Sequence, residues 1–127
     1  MKHLILEVFM MKTITREELK RRLDLRERIQ LVMVLKDWAF ESLHIPGSVH
    51  YDSYYSLAEA AKTLSPDEEI IVYCANPACP ASYRAYHFLK SLGFRNVFRY
   101  SGGIEDWMNA GYPLEGSLAG EPAWAAA

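Results

Sequence analysis

Two cysteines, Cys74 and Cys79, are the only ones in the 127-residue chain. Both lie in the run Ile70-Ile71-Val72-Tyr73-Cys74-Ala75-Asn76-Pro77-Ala78-Cys79-Pro80-Ala81-Ser82. The apolar residues before Cys74 read as a strand and those after Cys79 as a helix, so Cys74 sits at a strand-to-helix junction. Such a junction gathers backbone N–H groups and the positive end of a helix dipole around a thiol, which favours the thiolate. The chemistry on offer is therefore nucleophilic. Against it stands the reading of Cys74 as a small apolar residue closing a strand, as many buried cysteines do.

The elements that must hold this loop follow from the hydrophobic pattern. Thr15-Arg16-Glu17-Glu18 has capping-box spacing, which predicts a helix from Thr15 to Leu23 with Leu19 and Leu23 toward the core. Gln30 to Leu35 is an apolar run that fits a strand buried on both faces of a parallel sheet. Ser42-Leu43-His44-Ile45-Pro46-Gly47-Ser48 brings a turn and then a short strand at Val49 and His50. Residues 52–63 read as a helix capped by Asp52 or Ser53, and residues 69–74 as the strand that delivers Cys74. A helix from Pro80 to Leu92 carries an Ala85, Phe88, Leu89 and Leu92 stripe and stops at Gly93. Val97 to Tyr100 is a last strand, and Ile104 to Asn109 a short helix closed by Gly111 and Pro113. This alternation predicts an open α/β sheet with helices on both faces, in which ligands sit beyond the carboxyl ends of the strands. Residues 4–9 are a candidate first strand, so residues 1–12 form an N-terminal strand or leader, 13–115 the domain, and 116–127 a frayed tail.

Composition narrows the function. With 50% hydrophobic and 24% charged residues, the chain is expected to bury one core of its own. A formal net charge of −2 offers no broad cationic surface, which argues against nucleic acid or an anionic membrane as partner. The run Leu4 to Met10 is too short to span a bilayer. Two cysteines are too few for a secreted disulfide scaffold, so a cytoplasmic protein is expected.

Four landmarks then give the chain a specific resemblance. His44-Ile45-Pro46-Gly47-Ser48, Val72-Tyr73-Cys74, Leu89-Lys90-Ser91-Leu92-Gly93-Phe94 with Asn96-Val97, and Gly102-Gly103-Ile104-Glu105-Asp106-Trp107 occur in the order found in rhodanese-like domains, which the chain resembles over residues 13–115. The resemblance implies about five parallel strands wrapped by helices and a thiol nucleophile at Cys74. It also implies that this thiol takes sulfane sulfur from a small donor, then passes it to a thiol, a protein thiol included, or to cyanide. No dissociable cofactor and no metal is implied.

The chain also departs from that pattern. Met33-Val34-Leu35 stands where the family carries Asp-Val-Arg, so local support is expected from Lys36, Asp37 and Trp38. Between Cys74 and Ser82 there is neither glycine nor arginine, and the loop is about two residues longer than usual. A persulfide on Cys74 would need N–H donors at short range, and Ala75, Asn76, Ala78, Ala81 and Ser82 are the candidates for that cradle. Pro77 and Pro80 donate nothing but stiffen the loop.

Cys79 keeps three readings. It is a resolving thiol for Cys74, or the sulfur carrier itself, since Cys79-x4-Arg84 reproduces a Cys-to-Arg loop spacing, or a packing residue at the helix start. Zinc held by Cys74, Cys79 and one of His44, His50 or His87 lacks a second ligand pair at finger-like spacing. His44 reads as a hydrogen-bonding turn residue and His87 as a helix-surface residue. Trp38, Trp107, Tyr51, Tyr54 and Tyr55 are candidates for a pocket mouth. Arg84, Arg95 and Arg99 are the nearest cations in sequence, and solvated surface is their default. Two functions compete: a sulfurtransferase, and an inactive module for protein binding or redox sensing through a Cys74/Cys79 dithiol.

Overall fold

The computed structural model describes residues 11–119, so the candidate strand over residues 4–9 lies outside the described residues. Helix α1 (Arg16–Asp24) opens on Thr15, whose hydroxyl accepts the Glu18 N–H at 3.2 Å. Glu18 pairs with Arg21 one turn on, so the reciprocal half of the capping box is replaced by an ion pair. Leu19 is fully buried.

Strands β1 (Gln30–Met33), β2 (Val49–His50), β3 (Glu69–Tyr73) and β4 (Asn96–Tyr100) form one parallel sheet in the order β2-β1-β3-β4. Helices α2 (Asp37–Ser42), α3 (Tyr54–Ala61), α4 (Pro80–Ser91) and α5 (Gly103–Asn109) make the crossovers and the C-terminal cover. The class is the one expected, with four strands among the described residues where about five were expected. The place beside β4 is taken by a single bridge between Thr13 and Arg99, flanked by Arg99 N–H to Lys12 O at 2.9 Å and Ile14 N–H to Arg99 O at 3.1 Å. Pairing stops at Ile14 because the chain turns into α1 at the Thr15 cap.

Strand alternation divides the core. Val32, Ile70, Val72 and Val97 face α3 and α4, where Leu57, Ala85 and Leu89 meet them. Leu31, Met33, Ile71, Tyr73 and Tyr100 face the other layer, against Leu19, Ile45 and Trp107. Ile70, Ile71, Val72 and Tyr73 are each no more than 1% exposed, and burial of such side chains contributes about 1.5–3 kcal/mol apiece. The central strand that carries the cysteine is thus the most firmly anchored part of the sheet.

Ser117 N–H donates to Glu41 O at 2.8 Å and Leu118 N–H to Ser42 O at 3.0 Å, which ties these residues to the end of α2.

Candidate active site

Period-two alternation carries the Ile70, Val72 row one step further to Cys74, so its side chain points to the α4 layer. Cys79 is the residue before α4, and Pro80 fills the first helical position, where a missing N–H costs nothing. Between them Asn76 folds the loop on itself: its backbone carbonyl accepts the Cys79 N–H at 3.1 Å and its side-chain oxygen accepts the Ala78 N–H at 3.0 Å. The Asn76 amide group also donates to Glu105 of α5 at 3.3 Å.

This turn corrects the expected cradle. The Ala78 amide is spent inside the loop and faces neither sulfur. The amides of Ala75 and Ala81 reach the Cys79 sulfur, and that of Ser82 reaches Cys74. Ser82, in the first turn of α4, adds its side chain: Cys74 Sγ lies 3.1 Å from Ser82 Oγ and 3.5 Å from the Cys79 carbonyl oxygen.

The acidity of the two thiols is the reverse of the sequence expectation. Cys74 is 1% exposed, and burial first, then its interaction with the neighbouring Cys79 side chain, push its pKa up. Hydrogen bonds from Ser82 work against this and do not overcome it. Cys79 is half-buried and free of any disulfide. Desolvation opposes its ionisation too, yet the Cys74 thiol, the Ala75 and Ala81 amides and the Arg99 guanidinium together hold its pKa below the ordinary thiol value. Loop closure over Cys74 is a tertiary effect, which strand-to-helix spacing does not encode.

Of the three arginines nearest in sequence, one turns inward. Arg99 lies opposite Val72 in the β3–β4 register and so shares the face of Cys74. Its Nε donates to Ser82 Oγ at 2.9 Å, and Nη2 donates to the carbonyls of Cys79 at 3.1 Å and Pro77 at 3.3 Å. Arg95 pairs instead with Asp67 at 3.0 Å.

A cavity of about 440 Å³ opens beside the loop at the carboxyl ends of β1 and β2. Val34, Leu35, Tyr51, Leu57 and Ala85 give it apolar walls, Lys36 and Arg84 bring two positive charges against the one negative charge of Asp52, and Ala81 joins it to the cysteine loop. Tyr54 lines it as well, whereas Trp38 is 71% exposed and Tyr55 76% exposed, both away from it. Trp107 is buried in the opposite layer, its indole N–H donating to Pro113 O at 2.8 Å.

His44 and His50 are engaged elsewhere. His44 Nδ1–H donates to Phe40 O at 2.7 Å with its ring stacked on Phe40, and His50 Nε2–H donates to Leu35 O at 2.6 Å. His50 Nδ1 lies 3.3 Å from Asp37, so the support expected of Lys36, Asp37 and Trp38 comes from Asp37 through His50. His87 packs its ring against Tyr83 and Tyr86.

A thiol at the end of the central strand of an all-parallel α/β sheet, beneath the first turn of the next helix, defines a cysteine-loop α/β domain. The family model for the rhodanese-like domain matches residues 15–110, and the chain belongs to this family. It is 37% identical over 92 residues to the thiosulfate sulfurtransferase GlpE of Pseudomonas syringae pv. syringae, a match covering 72% of this chain and 83% of that one. It is 29% identical over 94 residues to the putative sulfur carrier protein YrkF of Bacillus subtilis, covering 74% of this chain and 49% of that protein. Among solved structures, a protein from Bacillus halodurans superposes with a TM-score of 0.80 at 27% identity, covering 95% of this chain and 87% of the other. The rhodanese-like domain of an Anabaena protein superposes with a TM-score of 0.77 at 25% identity, covering 90% and 86%. Among the described residues, no helix is long and apolar enough to cross a membrane.

Proposed function

We propose that this protein is a rhodanese-type sulfurtransferase that carries sulfane sulfur as a persulfide on Cys74 and passes it to a thiol or to cyanide. Membership of a family that includes thiosulfate sulfurtransferases supports the reaction class. The observation that carries the assignment is the placement of Cys74 Sγ at the end of β3, 3.1 Å from Ser82 Oγ and within reach of the Ser82 amide. Cys79, the neighbouring thiol whose pKa is held below the ordinary thiol value, is the base assigned to take the Cys74 proton. Cys74 then attacks the outer sulfur of thiosulfate. The S–S bond of the donor breaks, sulfite leaves with the electron pair, and a Cys74 persulfide remains. An acceptor thiolate attacks the outer sulfur in turn and releases Cys74 as thiolate, which recovers the proton.

A persulfide is anionic near neutral pH, and the Ser82 hydroxyl and amide are the donors set to stabilise it. The cavity with Lys36 and Arg84 suits a small anionic donor, drawn locally since net charge gives no general attraction. The test is transfer of sulfur from thiosulfate to cyanide or dithiothreitol by the full chain and by Cys74→Ser. Turnover that depends on Cys74 is expected, and turnover undiminished by Cys74→Ser would remove Cys74 from the role.

The contact between the two thiols favours a second reading, a redox-sensing module. A peroxide would oxidise the Cys79 thiolate to a sulfenic acid with loss of hydroxide, and Cys74 would displace the oxygen as water to form a disulfide. Titration of free thiols before and after mild peroxide separates the cases: loss of both thiols without sulfur uptake from any donor points to the sensor.

A further inference from the structure

The loop that holds both thiols lacks an arginine of its own, yet a guanidinium reaches it from the neighbouring strand. We propose that Arg99 is the positioning residue of this site: from β4 it fixes the cysteine loop and, through Ser82, orients the hydroxyl that stabilises anionic sulfur on Cys74. The inference deepens the sulfurtransferase reading and concerns the same site.

The geometry supports it in three ways. First, Arg99 is itself held in place. Its backbone pairs with β3 on one side and with Lys12 and Ile14 on the other, so the guanidinium leaves a backbone fixed from both directions. Second, Nη2 collects the carbonyls of Pro77 and Cys79. These two bonds tie the segment between Cys74 and the start of α4 to β4. Third, Nε donates to Ser82 Oγ at 2.9 Å, which occupies a lone pair of that oxygen with a cationic donor. While Cys74 is a thiol, its S–H donates to the same oxygen. Once Cys74 has lost its proton or gained a sulfur, the Ser82 O–H can rotate to donate to the anion, and the Arg99 bond strengthens that donation. Two nitrogens of a rigid planar fork reach these three acceptors, a geometry that the single ammonium of a lysine does not reproduce.

The test reads each thiol separately in the full-length chain. Alkylation by iodoacetamide is followed against pH and mapped to Cys74 or Cys79 by peptide mass spectrometry. In Arg99→Met the inflections for both thiols should move up, with at least a tenfold slower alkylation of Cys79 at neutral pH. Arg99→Lys should restore Cys79 in part, because it keeps a charge, and leave Cys74 displaced, because it loses the fork. Ser82→Ala should move Cys74 and leave Cys79 in place, with Ser82→Thr restoring Cys74. A purely structural Arg99 would lower the melting temperature and leave both inflections unmoved, which would overturn the proposal. Should Arg99→Met fail to fold, Ser82→Ala and Arg99→Lys decide, and an unmoved Cys74 inflection in both would overturn it. Alkylation needs no sulfur donor, so a wild-type protein that takes up no sulfur counts against the transferase alone.

Discussion

A Cβ on Gly103 would stand 2.5 Å from the carbonyl oxygen of Cys74 and 2.6 Å from the backbone of Ala75. Gly103 has φ +69 and opens α5, whose Ile104 and Glu105 N–H groups donate to the Cys74 and Ala75 carbonyls at 2.9 and 3.0 Å. The Gly-Gly landmark is thus a seat on which the backbone of the cysteine loop rests. Gly103→Ala puts a side chain into a left-handed conformation and against backbone at once. A loss of about 2–3 kcal/mol is expected in urea unfolding, together with weaker sulfur transfer. A change of stability below about 0.5 kcal/mol, the range of an ordinary surface substitution, would contradict this seat.

The order of thiol reactivity is the next expectation. At neutral pH iodoacetamide should modify Cys79 well before Cys74, since Cys79 is the more exposed and is held below the ordinary thiol pKa while burial holds Cys74 above it. Cys79→Ser removes the neighbouring base and should slow persulfide formation on Cys74 by roughly 10²-fold without abolishing it. Faster labelling of Cys74 than of Cys79 would reverse the assignment of acid and base.

Tyr73 makes a prediction about pH. Its hydroxyl accepts the Ile45 N–H at 3.1 Å and contacts Ser48 Oγ at 2.8 Å, which pins the turn after His44 to the central strand. Tyr73→Phe leaves a buried N–H without its partner and should cost about 1–3 kcal/mol. Burial pushes the Tyr73 pKa from 10.0 up to about 12. A raised folded-state pKa means that stability is fully present below pH 10 and declines as pH climbs toward 12, because the unfolded chain ionises first. Equilibrium unfolding against pH should show a shallower alkaline decline in Tyr73→Phe than in wild type.

The cavity beside the loop predicts a charge effect on substrate. Arg84→Glu should raise KM for thiosulfate several-fold with little change in kcat, and the difference should shrink as ionic strength rises. An unchanged KM at low salt would place the donor elsewhere.

Local signals were the legible part of the sequence. The Thr15 cap, the apolar runs of β1 and β3, and α4 between Pro80 and Gly93 were readable because each depends on residues a turn or less away. The position of Cys74 at the strand end followed in the same way. Arg99 was not readable, since its aim depends on the β3–β4 register that sets it opposite Val72. The acidity order failed for a related reason: the loop buries Cys74 and leaves Cys79 toward solvent, and sequence spacing says nothing about closure. Ala78 left the cradle because Asn76 competes for its N–H, a turn preference visible in hindsight from Asn76-Pro77. Among the described residues, pairing beside β4 is confined to the Thr13–Arg99 bridge, because the Thr15 cap turns the chain into α1.

Intact mass spectrometry of the full chain, with and without thiosulfate, followed by mapping of the thiol peptides, tests sulfur carriage most directly. The expected result is a gain of one sulfur mass, reversed by dithiothreitol, located on Cys74 and absent from Cys74→Ser. No gain in the wild-type chain with thiosulfate, mercaptopyruvate or polysulfide, or a full gain that survives in Cys74→Ser, would contradict it.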